Sequence, residues 1–128
     1  MNITIEVIEH HAQRYDTCGD WQYNKDKTEL KIKVSDLGDW RYNALVGLHE
    51  AIEALSCEQH GITEKMVDDF DIIFEKNRSV DDPAEPGDAF DAPYRHQHFF
   101  ATSIERLIAQ ELDVSWSTYE AEIDKLVY

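Results

Sequence analysis

Cysteine, proline, glycine and basic side chains are all scarce in this chain: 128 residues hold two cysteines, three prolines, five glycines and 12 lysines and arginines. Cys18 and Cys57 are too few for a disulfide scaffold and too far apart for a CxxC zinc or redox motif, so both read as reduced thiols. No run of about eighteen apolar residues occurs, which excludes a membrane-spanning helix. The opening NITIEVI alternates polar and apolar residues instead of forming a leader's apolar block, and a cytoplasmic location is expected. Against the few bases stand 27 acids, a formal charge of −15. Such a surface repels nucleic-acid phosphates and acidic lipids, so no direct nucleic-acid or membrane binding is expected, and a macromolecular partner would be a protein or peptide. There is no Gly-rich phosphate loop, no GxSxG elbow and no basic aromatic patch. The length allows one domain, residues 1–128, with a core of its own.

What is present is a change of period along the chain. Ile3, Ile5 and Val7 alternate in Asn2–Ile8 and predict a half-buried strand, a second strand is expected at Gly19–Tyr23, and Leu30, Ile32 and Val34 predict a third at Glu29–Val34. NKDKT between the last two has hairpin-turn chemistry, and the three strands are expected to form an antiparallel sheet. Helical spacing then takes over. Leu45, Leu48, Ile52 and Leu55 predict a helix over Trp40–Gln59, stopped by Gly61. A shorter helix is expected from Thr63, turning Met66, Val67, Phe70, Ile73 and Phe74 to the core. Asn77–Pro93 carries all three prolines among acids without periodicity and predicts a long exposed loop lying over the site. A third helix should run from Pro93 to about Glu111 on an apolar body of Phe99, Phe100, Ile104, Leu107 and Ile108, and a fourth from a capping box at Ser117 and Glu120 to the C-terminus. Trp21 and Trp40, each after Gly-Asp, are expected to bury their rings at turns, while His10 and His11 read as exposed. Strands first and helices after give an α+β fold: a small N-terminal antiparallel sheet packed on three or four helices, the first and third adjacent.

The chemistry concentrates in LHEAIEAL. His49 and Glu53 lie one helical turn apart on the same face, at the margin of the apolar stripe, where a partly buried metal could be held. An imidazole and a carboxylate so placed suit zinc, and Glu50 would then face metal-bound water as general base. The third helix offers a third ligand, with His98 placed first and His96 as the alternative, and Glu105, two turns after His98, could orient an imidazole from behind. The expected site is therefore Zn²⁺ held by His49, Glu53 and His98, with Glu50 catalytic. The pattern resembles the HExxH motif of zincin metallopeptidases, with Glu53 in place of the second His, which implies metal-dependent hydrolysis of peptide or amide bonds.

Two other readings use the same residues. Glu50 and Glu53 with Asp68 and Asp71 form an ExxE–DxxD quartet that resembles the all-α nucleotide pyrophosphohydrolases, which implies magnesium. The strong acidity alone fits a protein-binding module or a DNA mimic that needs no metal. GDWRYNALVGLHEAIEAL and EPGDAFDAPYRHQHFFATSIERL together resemble small proteins encoded by tailed phages and prophages, a resemblance that implies no particular activity.

Overall fold

The computed structural model describes Met1–Val127. Three strands, β1 (Asn2–Ile8), β2 (Gly19–Tyr23) and β3 (Glu29–Ser35), precede four helices, α1 (Trp40–Gln59), α2 (Glu64–Lys76), α3 (Arg95–Glu111) and α4 (Trp116–Val127). The fold is α+β, and α1 and α3 pack along one another. The expected run of α4 to Tyr128 lies outside the described residues.

The sheet is mixed, which corrects the expectation of an antiparallel one. Its order is β1-β3-β2, with β2 antiparallel and β1 parallel to β3. The reason is that β3 enters between the first two strands. Its Leu30, Ile32 and Val34 are fully buried, whereas Ile3, Ile5 and Val7 of the edge strand β1 are not, because α1 packs over β3 and β2 and meets β1 only at its rim. The segment after β1 crosses the C-terminal end of β3, fastened by Ser35 N–H to Cys18 O and Asp36 N–H to Ile8 O, both at 2.8 Å. His10 belongs to this fastening: its Nδ1 lies 2.9 Å from Ser35 Oγ and its Nε2 2.7 Å from Asp16. It is therefore not the freely exposed side chain the sequence suggested. The β2–β3 turn is the expected hairpin, closed by Asn24 Oδ1 accepting from Glu29 N–H at 2.9 Å, with Lys27 at φ +57°.

The helix boundaries follow local chemistry. Asp39 caps α1 by accepting from Arg41 N–H, and the chain leaves that helix through Gly61 at φ +72°, a left-handed position that favours glycine. Thr63 caps α2 through Met66 N–H. At α4 the hydroxyl that accepts from Thr118 N–H belongs to Ser115, so the capping box expected at Ser117 is displaced by two residues.

Three burial expectations change. Trp40 is 70% exposed because it is the first residue of α1 and its ring leaves the packed layer, whereas Trp21 is buried in β2. On α2, Met66 and Ile73, both expected to face the core, face solvent. Most consequential is α3, whose inward face is Gln97, His98, Ala101, Glu105 and Ala109, while Phe99, Phe100 and Leu107 point outward. A helix that buries ionisable residues and exposes phenylalanine has its orientation fixed by what the buried groups bind, not by apolar transfer.

Candidate metal centre

The site lies between α1 and α3. On α1, His49 and Glu53 are buried one turn apart; on α3, His98 and Glu105 are buried two turns apart. The helices bring these pairs into register. His98 donates Nδ1–H to Glu53 Oε2 at 3.0 Å, and His49 donates Nε2–H to the same oxygen at 3.2 Å. The two imidazoles meet edge to face with centroids 4.9 Å apart. His49 Nε2, Glu53 Oε2 and His98 Nδ1 thus face a common point, all within 4.8 Å of one another.

Each of these side chains is also held from behind. His49 Nδ1–H reaches Glu105 Oε1 at 2.7 Å, and Glu105 Oε2 accepts the Tyr119 hydroxyl from α4 at 2.6 Å. Glu53 Oε1 accepts Trp21 Nε1–H from β2 at 3.2 Å. His98 Nε2 lies 3.1 Å from both Asp88 and Glu85. The last two residues come from the Asn77–Pro93 segment, which is docked here through a short 3-10 turn, Pro86–Asp88. Gly87 is buried against the His98 ring so closely that a Cβ would overlap it. The loop thus covers the site as expected, although only its Val80 and Phe90 are nearly fully exposed hydrophobics.

Electrostatics follow from the low-dielectric setting. Burial works against the charged form of His98, yet Asp88, Glu53 and Glu85 outweigh it and raise its pKa to about 12. His49 is pushed well above the ordinary histidine value in the same way, with Glu105 and Glu53 overcoming desolvation. Burial would raise Glu53, but the two imidazoles pull it down to about 2. Glu50 goes the other way: loss of water, then repulsion from Glu53, places it well above the carboxylate range. Its carboxyl packs against Gly19, where a Cβ would lie 2.9 Å from Oε1, and among the described residues it makes no hydrogen bond. Glu50 lines a cavity of about 110 Å³ next to His49, Glu53 and His98.

Of the remaining candidates, Asp68 and Asp71 line the same cavity, and His96 and Cys57 do not. His96 is exposed on α3 beside His60, with ring centroids 6.4 Å apart, and takes no part in the cluster. Asp68 is engaged by Arg14, which also holds Asp20 through paired bonds of 2.6 and 2.8 Å. Asp71 accepts hydroxyl bonds from Tyr94 and, at 3.2 Å, from Tyr15, and burial raises it to about 7. Cys57 is plain core, its thiol pushed up to about 12 by burial. Tyr119, Asp88 and Glu85 are not marked by the sequence pattern, and Trp21 is marked only as a ring buried at a turn. Nothing in local spacing points to them as site residues, because they come from β2, α4 and the loop before α3; Gly87, a lone glycine among acids, is the one trace of the close approach to His98. Compared with known protein families, curated proteins and solved structures, the chain matches none of them.

Proposed function

We propose that the chain is a divalent-metal-binding domain that holds zinc through His49, Glu53 and His98 and uses Glu50 as general base in the hydrolysis of a peptide or amide bond. The observation that carries this reading is that the atom of each ligand not needed for the metal already has a partner: Glu105 behind His49, Trp21 behind Glu53, Asp88 and Glu85 behind His98. Histidines that bind metal donate their other N–H to just such acceptors, which fixes the ring and raises its basicity. The separations of 3.0 and 3.2 Å within the trio are also near the roughly 3.3 Å expected between donors 2.0–2.1 Å from a tetrahedral zinc. Three protein ligands leave one position for water, whose pKa a bound zinc brings to about 7.

Glu50 supplies what the trio lacks. A carboxylate beside the trio without a hydrogen bond is free to take the proton as water attacks the carbonyl, and to pass it to the departing amine. The acidic-quartet reading is disfavoured by Asp68 and Asp71, whose oxygens are occupied by Arg14, Tyr15 and Tyr94.

Elemental analysis of protein purified without chelator tests the proposal. Zinc near one per chain is expected in the wild type and in His96→Ala, and loss of zinc in His49→Ala and His98→Ala with the circular dichroism spectrum retained. A wild type that binds no zinc on reconstitution sinks it and favours a metal-free acidic protein-binding role. Magnesium-dependent nucleotide hydrolysis that survives both His variants would restore the quartet.

A further inference from the structure

β1 is an edge strand left open on two sides. In register it lies beside β3, Ile3 with Leu30, Ile5 with Ile32 and Val7 with Val34, so its apolar residues face the same side as the core. Yet Leu30, Ile32 and Val34 are fully buried, while Ile3, Ile5 and Val7 are 47%, 40% and 47% exposed. α1 covers β3 and β2 and reaches β1 only at its rim, where Gly47 lets Ile5 approach so closely that a Cβ would lie 2.7 Å from it.

The apolar surface continues from that rim. Going round α1 from Gly47, Ala44, Leu48, Ala51, Ile52 and Leu55 follow within one flank, at about 100° per residue. None is buried, and Leu55 is 40% exposed. His49, Glu50 and Glu53, the ionisable residues of those turns, face the interior site instead. Helices apolar on more than one face are covered on more than one face. Beyond lies α3 with the outward Phe100 and Leu107, 48% and 63% exposed. A chain of charge −15 thus keeps this flank of α1, from Ala44 to Leu55, free of acids.

We propose that this face binds a second copy of the chain, with the two β1 strands pairing antiparallel about a two-fold axis at Ile5. The register selects a like partner. Asn2 N–H and Ile8 C=O bond toward the β3 side, each at 2.8 Å, so even residues of β1 serve β3 and the N–H and C=O groups of Ile3, Ile5 and Val7 point to the free edge. Rotation about Ile5 sets Ile3 against the partner's Val7 and Ile5 against the partner's Ile5, each pair exchanging both main-chain bonds. On the opposite face Thr4 meets the partner's Glu6, and no acid opposes an acid; Glu6 lies in register beside Lys33 of its own chain. Apolar thus meets apolar along the whole strand, the self-complementarity an isologous interface requires. The strand also lacks the usual guards of a free edge: no proline, no lysine and no bulge interrupts its seven residues.

Sedimentation equilibrium on the full chain gives the test, with two variants. The wild type is expected at twice the 14.9 kDa chain mass. Ile5→Lys, which sets two ammonium groups face to face on the axis, and Ile5→Pro, which removes an edge-facing N–H and spares the β3 ladder, are expected at the chain mass with unchanged circular dichroism. A monomeric wild type up to millimolar concentration overturns the proposal, as does a dimer that persists in both folded variants. If the variants unfold, hydrogen exchange of the wild type decides: the Ile3, Ile5 and Val7 amides gain at least tenfold protection on concentration, or the interface is elsewhere.

Discussion

Replacing Glu53 by glutamine removes one charge and almost no volume, and its consequence can be worked from the contacts. Glu53 Oε2 accepts from both imidazoles and Oε1 from Trp21, so all the partners are donors. Glutamine brings one oxygen and one NH₂, and the NH₂ must face either the indole N–H or the imidazole pair. One donor is then left buried and unmatched. The pull of the two imidazoles takes the Glu53 pKa from 4.5 to about 2, which corresponds to about 3 kcal/mol of native-state stabilisation at 1.36 kcal/mol per unit. The residue is 5% exposed, so solvent screening does not reduce this appreciably. A similar loss, about 3–5 kcal/mol, is usual when one member of a buried ion pair is removed. The sign is that of a depressed acid: the contribution is complete above about pH 5, where the unfolded carboxylate is also ionised, and is lost as pH falls toward 2. Urea denaturation of chelator-treated protein should therefore show the variant about 3 kcal/mol less stable at pH 7, with the gap narrowing below pH 4. Equal stability at pH 7, or a gap that stays constant as the acid protonates, would refute the reasoning.

Three further outcomes are expected. Glu50→Gln keeps zinc at the wild-type level but abolishes hydrolysis, measured as metal content beside turnover of the same preparation; lost zinc would make Glu50 a ligand. Glu105→Gln, which weakens the acceptor behind His49, lowers zinc affinity about 10–100-fold in competition with a chromophoric chelator, while the folded spectrum persists. Gly87→Ala forces the added methyl group into the His98 ring and costs about 1–3 kcal/mol in urea, the usual penalty for overpacking a filled interior.

Period and punctuation alone determined the strands of this protein, the extents of α1 and α2, the place of the long loop before α3 and the α+β class. Leu30, Ile32 and Val34 announce a strand because side chains alternate every two residues, and Asp39, Gly61 and Thr63 mark helix ends because caps are local chemistry. His49 and Glu53 were legible for the same reason, being one turn apart on one helix, and His98 and Glu105 two turns apart on another. What joins these pairs is not local. The sequence put His98 first with His96 as the alternative, but spacing does not decide between them, and the choice falls to the rotation of α3, which buries His98 against Glu53 and leaves His96 in water. That rotation also reverses the hydrophobic expectation for α3, because desolvated imidazoles and carboxylates must face one another, and Phe100 and Leu107 are turned outward as a result. Only tertiary structure could bring Tyr119 and Trp21 to the site, since neither has a neighbour in sequence that the chemistry requires. The direction of β1, expected antiparallel and found parallel to β3, was missed for a related reason: alternation gives a strand its faces but not its partner, and only the folded chain places β3 between β1 and β2.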